Sequence, residues 1–479
     1  MHLAFLNPQG NFDPADSHLT AHPDFGGQLV YVKQVSLALG RLGHRVDILA
    51  RLVDDPAWPE FASGTASYRG APNVRIIRLP AGDNNAFLPK EQLWPYIVRD
   101  WVPNILDHYG DALPDVFTGH YGDGGIAAVL LRQATGTPFT FTAHSLGAQK
   151  LDKLSTGADP AVLDRQYHFG TRLAAENLAI SHSGINITST SLERFEQYGH
   201  HRYAAAVDVA DDSRFSVVPP GVNLETFDRD SGAPTDREMA GYVAGRIEEA
   251  VGRRAGLPAI VASSRLDPKK NIVGLVEAYA ASPRLQRAAN LVLVTGSLSD
   301  PLVDAGKATP TERQEIGRVR EIIERDNLEG MVAAFGIQGQ DRLAGAYRYL
   351  AQHGGVFCLT ALYEPFGLAP LEAAAAGLAV VVTRNGGPSE SLADEDGEYG
   401  VLVDPADPAD IAAGLERALG DEWSDLAEAG RRRVHDRYTW DGTADGYLSA
   451  ATRAADAPAR DLLPIDPYFL GDGSAPELT

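Results

Sequence analysis

The chain has 479 residues, of which 44% are hydrophobic and 22% charged, a composition typical of folded globular domains and a length that favours two of them over a single core. Its 42 basic and 64 acidic residues give a formal charge of −22, which argues against nucleic acid or an anionic membrane as a partner, because both require a cationic surface. The single cysteine, Cys358, excludes an internal disulfide and is typical of a protein from a reducing cytoplasm.

The N-terminus is predicted to be a strand, His2–Leu6, followed by an Asn-Pro turn. It has neither the charged start nor the apolar segment of a signal peptide. No apolar run reaches the ~18 residues that a membrane-spanning helix requires. We therefore expect a soluble, cytoplasmic protein.

Short runs rich in β-branched residues alternate with amphipathic helical segments, which is the pattern of parallel sheets. Several of these runs lack polar alternation, as strands buried on both faces do. The predicted strands of the first half are His2–Leu6, Arg45–Ala50, Val74–Leu79, Asp115–Gly119, Phe139–Ala143, Ile185–Thr188 and Phe215–Val218. Those of the second half are Ala259–Ser263, Leu291–Thr295, Val332–Phe335, Val356–Leu359 and Ala379–Thr383. The sequence thus predicts an α/β fold with two doubly wound sheets.

Two prolines and a glycine within residues 218–223 mark the end of the first predicted unit. A second unit runs to about Tyr438, and Trp440–Ala455 is predicted as one more helix. The tail at residues 456–479 is rich in Pro, Asp and Gly, so we expect it to pack loosely or to be mobile. Ligands bind at the carboxyl ends of the strands in such sheets, so two units in tandem predict a deep cleft lined by those loops.

The motif DFGGQ at residues 24–28 opens a predicted helix, whose buried face is marked by Val32, Val35, Leu39 and Leu42. Paired glycines at a helix start let a ligand approach the backbone, and the free amides there favour an anion. A simple loop leading into a helix can carry the same residues, so the motif alone leaves both interpretations open.

A histidine follows the predicted strand that ends at Ala143, in the run AHSLGAQK. At a strand end, His144 can hydrogen-bond a sugar hydroxyl or face a charge that develops during a reaction. A lone histidine is more often structural. Lys150 in the same run can bind an anion or be solvated.

The run SSRLDPKKN at residues 263–271 directly follows an apolar strand, and its cations Arg265 and Lys270 are candidates for one pocket at the strand end. Together they can neutralise a diphosphate leaving group, Arg through its fork of donors and Lys as a point charge. The alternative is a solvated basic turn. The scarcity of lysine weakens that alternative, since the whole chain has only seven.

The run EPFGLAPLE places two carboxylates, Glu364 and Glu372, across a loop and the first turn of a helix. The amides of Gly367 and Leu368 lie at the helix N-terminus and can donate to hydroxyl or phosphate oxygens. The structural alternatives are an exposed loop acid for Glu364 and an acid favoured by the helix dipole for Glu372. The spacing of the two glutamates around the Phe-Gly pair is the most specific signal in the chain.

Other chemistries are not indicated by the sequence. It has no Cys/His cluster with zinc spacing, no lysine-containing phosphate-binding loop and no G-x-S-x-G motif. A nicotinamide-binding glycine pattern is also missing after the first strand. We therefore expect neither metal ligands nor a bound cofactor.

The motif from Glu364 to Glu372, taken with Arg265 and Lys270, resembles the retaining glycosyltransferases of family 4, which have the GT-B fold of two Rossmann-like domains facing across a deep cleft. Longer runs are similar to the bacterial sucrose-phosphate synthases of that family. These runs are FLNPQGNFDPADS, HPDFGGQLVYVKQVSLALG, HYGDGG, FTAHSLGAQK, SRLDPKKN, LYEPFGLAPLEA and VVTRNGGPSE. The similarity extends to about residue 455 and includes no appended phosphatase domain, so we expect the phosphatase that acts on the product to be a separate protein.

The resemblance implies a division of the chain and roles for the donor-side residues. Residues 1–220, with the helix at 440–455, would form the acceptor-binding domain, and residues 221–439 the nucleotide-sugar-binding domain. Arg265 and Lys270 would hold the donor diphosphate and stabilise the departing nucleotide. The other donor contacts would be Gly27 to the diphosphate, Glu372 to the ribose, Glu364 with the amides around Phe366, Gly367 and Leu368 to the glucose, and His144 near the glucose 6-hydroxyl.

On the acceptor side the resemblance implies contacts to fructose 6-phosphate. The residues expected at the sugar are Gly26, Gln28, Tyr121 and Ser145, and those expected at its phosphate are Lys150, Arg172 and Lys90. One position departs from the relatives, because two adjacent basic residues precede their helix, whereas this chain has Thr171 before Arg172. The exchange removes one cation, which Arg165 could partly replace.

The implied activity is transfer of glucose, with retention, from a nucleotide-glucose (UDP-glucose, or its ADP or GDP counterpart) to fructose 6-phosphate. The product is sucrose 6-phosphate, and the scheme requires no metal. A sucrose synthase or a mannosylfructose-phosphate synthase of the same family would carry closely similar motifs. A sugar-nucleotide epimerase would need no acceptor site, and a non-catalytic binding protein would tolerate the loss of Arg265 or Lys270.

Overall fold

The structure is a computed structural model that describes residues 1–17, 27–157, 159–296 and 298–478. The chain forms two compact units, one made of Met1–Pro219 with the segment from Trp440 onward and the other made of Pro220–Thr439. The first division falls between Pro219 and Pro220, where neither residue has an amide to donate to a regular element. The first unit is therefore discontinuous in sequence.

The strands are numbered in chain order. They are β1 (His2–Leu6), β2 (Arg45–Arg51), β3 (Thr65–Tyr68), β4 (Ala71–Leu79), β5 (Val116–His120), β6 (Phe139–Thr142), β7 (Ile185–Thr188), β8 (Phe215–Val217), β9 (Ala259–Ser263), β10 (Asn290–Thr295), β11 (Val332–Gly336), β12 (Val356–Leu359), β13 (Ala379–Thr383), β14 (Ala393–Asp394), β15 (Gly397–Glu398) and β16 (Val401–Val403).

The helices are numbered in the same way. They are α1 (Gly27–Arg41), α2 (Trp94–Tyr96), α3 (Val102–Tyr109), α4 (Tyr121–Thr135), α5 (Gly147–Ser155), α6 (Pro160–Tyr167), α7 (Phe169–His182), α8 (Leu224–Phe227), α9 (Asp236–Val251), α10 (Ile272–Ala281), α11 (Pro283–Ala288), α12 (Pro310–Arg325), α13 (Gln340–Gln352), α14 (Leu368–Ala375), α15 (Pro388–Ser391), α16 (Pro408–Ala418), α17 (Trp423–Arg437) and α18 (Trp440–Ala455). None of the described helices is both long and apolar enough to cross a lipid bilayer.

The first unit is built on an eight-stranded sheet in the order β3-β4-β2-β1-β5-β6-β7-β8. All neighbouring strands are parallel except β3 and β4. The chain extends the sheet to one side of β1 and then continues on the other side at β5, so the topological switch point lies between these two strands. Ligands bind at such points, and here the loop from Asn7 and helix α4 from Tyr121 follow β1 and β5.

The second unit has a six-stranded, all-parallel sheet in the order β11-β10-β9-β12-β13-β16. Its switch point lies between β9 and β12, which are followed by loops that begin at Ser264 and Thr360. The antiparallel pair β14–β15 forms a separate small sheet. Each unit thus has loops that follow the two strands beside the switch point of its own sheet.

The prediction of two doubly wound α/β units is confirmed, and every strand predicted from the sequence is present. The sequence misses β3, β16 and the two-residue strands β14 and β15. Strand β3, of sequence TASY, pairs antiparallel at the sheet edge and has no run of apolar residues to reveal it. Strand β16 has only three residues, Val401–Val403, too few to show a period.

Helices α1 and α18 cover the same part of the first sheet. The predicted apolar face of α1 is buried at Val32, Val35 and Leu39, whereas Leu42 lies beyond the end of the helix and is exposed. Tyr447 of α18 is buried among these residues, and its hydroxyl is 2.8 Å from Thr142 Oγ1. This packing makes α18 an integral part of the first unit.

The tail after α18 contacts the first unit at a few points. Phe469 is fully buried in the largest core cluster of that unit. His182 Nε2 donates to the carbonyl of Leu463 at 2.7 Å, and the amide of Leu478 donates to Asp164 at 2.8 Å. The other described residues of the tail are exposed or half-buried. The predicted loose packing or mobility of the tail stays a prediction.

We expect Phe469→Ala to lower the free energy of unfolding by ~3–5 kcal/mol, because it removes a buried aromatic ring and leaves a cavity. Leu470 is the matched control, since it is the next residue and its side chain is 53% exposed. We expect Leu470→Ala to change the same quantity by ~0.5 kcal/mol or less. Chemical denaturation followed by circular dichroism measures both. Equal, small losses would show that the tail contributes nothing to stability.

Candidate functional site

A cavity of about 160 Å³ lies in the first unit, where the loops after β1, β5 and β6 meet. It is lined mainly by charged and aromatic side chains. The lining residues are Gln9, Lys90, Glu91, Trp94, Tyr121, Gly122, Asp123, Ser145, Lys150, Tyr167, Phe169 and Arg172.

Most of the residues predicted for an acceptor lie together in this cavity. Lys90, Tyr121, Ser145, Lys150 and Arg172 all line it, although they come from four separate stretches of sequence. Their roles toward a ligand stay predictions.

The other two residues predicted for the acceptor stand apart from the cavity. Gln28 does not line it, and its side-chain amide donates to Asn7 Oδ1 at 2.7 Å. Gly26 lies outside the described residues.

The charge of the cavity suits an anion with hydroxyl groups. Lys90, Lys150 and Arg172 outnumber the two acids, Glu91 and Asp123. Burial raises the pKa of Asp123 to about 6, so that this carboxyl is still mostly ionised at pH 7. In a chain with a formal charge of −22, this is a local excess of cations.

Arg172 is held by a buried carboxylate that the sequence analysis missed. Glu176 is fully buried and accepts hydrogen bonds from Arg172 Nε at 2.7 Å, from the amide of Gly147 at 3.0 Å and from the hydroxyl of Tyr203. Arg172 Nη2 also donates to the carbonyl of Ser145 at 2.7 Å. The guanidinium and the loop at residues 145–147 are thereby fixed to one another. The i, i+4 spacing of Arg172 and Glu176 on α7 was the available signal.

His144 is hydrogen-bonded to a second histidine. Its Nε2 is 2.7 Å from His120 Nδ1, and His120 Nε2 is 3.2 Å from Thr118 Oγ1. Burial lowers the pKa of His144 to about 3 and, with His144 beside it, the pKa of His120 well below its ordinary value. Both rings are therefore neutral at neutral pH, and one donates to the other. His120 was not predicted from the sequence, although it stands at a strand end as His144 does.

Two non-glycine residues at the ends of β5 and β6 have left-handed backbone conformations. Tyr121 has φ of 56° and His144 has φ of 55°, which is uncommon for side chains of this size. Their rings are 5.3 Å apart between centroids. Such conformations persist where the surroundings enforce them and often mark functional sites.

Gly27 is the first residue of α1, and a Cβ added to it would meet nothing within 4 Å. Packing of the described residues therefore does not require glycine at this position. The open space is consistent with the predicted approach of a ligand to the amide of Gly27.

In the second unit, the loop after β9 brings one of the two predicted cations to a carboxylate. Lys270 Nζ donates to Glu364 Oε2 at 2.6 Å, and both side chains are largely buried. Asp267 shapes this loop by accepting the amide of Lys269 at 2.9 Å. Arg265 is exposed, and within the described residues its side chain makes no hydrogen bond or ion pair.

The loop that carries Glu364 is fixed by two glycines after β13. The amide of Glu364 donates to Asn385 O at 3.0 Å, and the amide of Gly387 donates to Glu364 O at 2.9 Å. A Cβ on Gly386, whose φ is 99°, would lie 2.1 Å from Glu364 O, and a Cβ on Gly387 would lie 2.5 Å from Phe366 Cα. Only glycine permits this approach of two backbones, which explains the pair in the run VVTRNGGPSE.

The Phe-Gly pair after Glu364 begins helix α14. Gly367 has φ of 92° and stands directly before Leu368, the first helical residue. The ring of Phe366 meets that of Tyr438 edge to face, with centroids 5.9 Å apart. The amide of Leu368 is thus presented at a helix N-terminus, where it favours negatively charged or hydroxyl oxygens.

Glu372 lies one turn further along α14. Burial raises the pKa of its carboxyl from 4.5 to about 7. Within the described residues no hydrogen bond or ion pair engages that carboxyl. A part-buried carboxylate without a protein partner is costly unless a ligand supplies donors.

The described residues contain no group of three or more His, Cys, Asp or Glu side chains that could hold a metal ion. The expectation that the chain needs no metal stays a prediction. The first unit thus offers a cation-lined cavity beside a neutral histidine pair. The second offers two cations, two carboxylates and a helix N-terminus around one switch point, a set of groups suited to a nucleotide diphosphate and a sugar.

Two family models match the chain. Residues 26–185 match the model described as "Glycosyl transferase 4-like domain", and residues 245–433 match "Glycosyl transferases group 1". The matched ranges include the predicted site residues of both units.

Curated relatives of the chain are sucrose-phosphate synthases. The probable sucrose-phosphate synthase of Thermosipho melanesiensis is 40% identical over 450 residues, which cover 94% of this chain and 96% of that protein. The sucrose-phosphate synthase of Spinacia oleracea is 30% identical over 513 residues. That match covers 94% of this chain and 47% of the spinach protein, so the chain spans about half the length of such plant relatives.

Solved structures agree with these matches. The sucrose-phosphate synthase of Thermosynechococcus elongatus has a TM-score of 0.65 at 25% identity, covering 95% of this chain and 100% of that one. The Anabaena protein HepE in complex with UDP and glucose has a TM-score of 0.60 at 16% identity, covering 94% and 99%. The predicted fold class, two Rossmann-like domains of the GT-B type, is confirmed.

We expect Glu372→Gln to raise the melting temperature at pH 8 but not at pH 4. In the folded chain the carboxyl ionises only near pH 7, against 4.5 for its ordinary value, so the wild type loses stability relative to the variant as the pH rises from 4.5 to 7. Above pH 7 the difference should stay constant. Melting curves across this range measure it, and a difference that is independent of pH would contradict the raised pKa.

Proposed function

The chain belongs to the sucrose-phosphate synthase family and is a glycosyltransferase, and on that premise we propose that it transfers glucose from UDP-glucose to fructose 6-phosphate to give sucrose 6-phosphate. Transfer would proceed with retention at the glucose anomeric carbon. We further propose that a separate phosphatase acts on the product and that the reaction takes place in the cytoplasm, since one cysteine in 479 residues fits reducing conditions.

The observation that carries the choice of acceptor is the cation-lined cavity of the first unit. Lys90, Lys150 and Arg172 border one space together with Tyr121 and Ser145. Cations bind a phosphate, and hydroxyl groups and backbone carbonyls bind the hydroxyls of a sugar. A free hexose would have no use for three cations, so the cavity favours the phosphorylated acceptor.

A nucleotide sugar is the donor that the second unit best suits. Arg265 and Lys270 would bind the diphosphate, and Glu372, with its unengaged carboxyl, would accept hydrogen bonds from the ribose hydroxyls. Glu364 and the amide of Leu368 would hold the glucose. The UDP and glucose bound to HepE support this donor class, because HepE has the same fold.

The proposed reaction breaks the bond between the glucose anomeric carbon and the donor phosphate and forms one to the 2-hydroxyl of the fructose. The hydroxyl would attack from the face that the diphosphate leaves, and a phosphate oxygen would take its proton. Arg265 and Lys270 would stabilise the charge that develops on the leaving group. Glu364 is ion-paired with Lys270 and is therefore assigned to binding rather than to nucleophilic attack.

Both rings of the histidine pair would be uncharged during this reaction. With both pKa values lowered by burial, His144 would offer a hydrogen bond to a glucose hydroxyl without adding charge. His120 would fix the orientation of the His144 ring through their shared hydrogen bond.

Two close alternatives differ in substrate. A sucrose synthase would use free fructose, and a mannosylfructose-phosphate synthase would use GDP-mannose with fructose 6-phosphate. An epimerase would leave the acceptor untouched, and a non-catalytic binding protein would release no nucleotide. Liquid chromatography that resolves epimers, followed by mass spectrometry of products from UDP-, ADP- and GDP-sugars, each with fructose or fructose 6-phosphate, separates these four alternatives. Sucrose 6-phosphate from a nucleotide-glucose is the expected product.

We expect Arg172→Ala and Lys150→Ala each to raise the KM for fructose 6-phosphate by about 10- to 100-fold, because each removes a charged hydrogen bond to the phosphate. Lys153→Ala is the matched control, since Lys153 lies one turn further along α5, is exposed and does not line the cavity. It should leave this KM unchanged. Initial rates with varied acceptor measure the effect. An unchanged KM in both cavity variants would refute the phosphate assignment.

Turnover should be unaffected by removal of divalent metal, because Arg265, Lys270 and backbone amides would supply the charge that stabilises the leaving diphosphate. The measurement compares initial rates after treatment with EDTA and after readdition of Mg²⁺ or Mn²⁺. A rate that falls with EDTA and returns with either ion would show that the cations of the chain are insufficient.

A further inference from the structure

The turn between α6 and α7 borders the cavity of the first unit. Tyr167, Phe169 and Arg172 line the cavity. Helix α6 ends at Tyr167 and α7 begins at Phe169, with His168 between them in a left-handed conformation, φ 52°. The position of the lining side chains therefore depends on how this turn is held.

The tail of the chain contacts the same turn at the residues that do not face the cavity. A Cβ on Gly170 would lie 2.4 Å from the carbonyl carbon of Glu477 and 2.5 Å from Pro476 O. Thr171 Oγ1 donates to the same Pro476 O at 3.4 Å. The backbone of the tail therefore lies directly on the backbone of the first turn of α7, and glycine is needed for this approach.

One carboxylate joins the three segments. Asp164 of α6 accepts the amide of Gly170 on Oδ1 at 2.7 Å and the amide of Leu478 on Oδ2 at 2.8 Å. The side chain of Leu478 packs against the core cluster that contains Leu163 and Phe169. Both oxygens of Asp164 are thus used to tie α6, α7 and the tail together.

We propose that residues 476–478 are a strap that fixes the turn between α6 and α7 and so sets the affinity of the cavity for the phosphorylated acceptor. The inference rests on the proposed function, because the acceptor is the one named there. Asp164 and Gly170 are positioning residues: neither lines the cavity, and both act through the lining residues of the turn. The strap is part of the acceptor site although it contributes no ligand contact.

The test displaces the strap with a single methyl group in the full chain. Gly170→Ala would place a Cβ against the backbone of the strap, whereas Gly64→Ala is the matched control, because a Cβ there meets only Arg78 O at 3.8 Å. Asp164→Asn is a second variant. Its amide has one acceptor oxygen and one NH₂ group, so it cannot accept both backbone amides as the carboxylate does.

Three kinds of measurement are made on each protein. Isothermal titration calorimetry gives the Kd for fructose 6-phosphate, initial rates give kcat and the KM for each substrate, and hydrogen exchange is followed at the backbone amides within residues 476–478. We expect Gly170→Ala to speed exchange at the strap, to raise Kd and KM for fructose 6-phosphate by about tenfold, and to leave the KM for UDP-glucose within about twofold. Asp164→Asn should act in the same direction, and Gly64→Ala should match the wild type.

Three results would overturn the proposed role of the strap, and the first two concern its hydrogen exchange. One is faster exchange at residues 476–478 with acceptor affinity unchanged, and the other is a strap that neither variant releases. A rise in both substrate KM values together would indicate general damage and would also contradict it. Failure of the proposed function looks different, because the wild type itself would then neither bind fructose 6-phosphate nor form product from it.

Discussion

The buried carboxylate of Glu176 is the interaction on which the first unit's cavity depends. A charge removed from water must be met by donors, and here the donors are Arg172, the amide of Gly147 and Tyr203. Each of these groups belongs to a different segment. Neutralising one acid therefore fixes the guanidinium, the start of α5 and the region around Tyr203 at once. The position of Arg172 in the cavity therefore depends on Glu176, a buried acid that does not line the cavity.

In the second unit, close contact between two backbone segments positions the charged side chains. Here the loop after β13 approaches the loop that carries Glu364 so closely that Gly386 and Gly387 can carry no side chain. Glu364 is thereby held where Lys270 can pair with it. The two units share a sheet topology, and in both the loops beside the switch point carry the groups that would meet a ligand. In the first unit the position of these groups is set by the charge of Glu176, and in the second unit by the close approach of two backbone segments.

The sequence predicted the sheets and most of the cavity, because apolar runs and strand-end motifs are local signals. It predicted that Lys150 and Arg172 act together, and they line one cavity. It did not predict Glu176 or His120, whose roles arise from contacts between distant segments, nor the pairing of Lys270 with Glu364, 94 positions apart. The burial of Phe469 in the tail was not predicted for the same reason, because only the fold provides the surface on which this side chain is buried.

The discontinuity of the first unit has a consequence for its synthesis. Helix α18 covers the apolar face of α1, and its Tyr447 reaches Thr142, but it leaves the ribosome only after Pro220–Thr439 has been translated. At ordinary elongation rates this interval lasts on the order of 10–40 s. During that time the side of α1 that packs against α18 lacks its partner, although the sheet already covers the rest of its apolar face. The apolar surface that α18 covers therefore stays exposed until this last helix emerges.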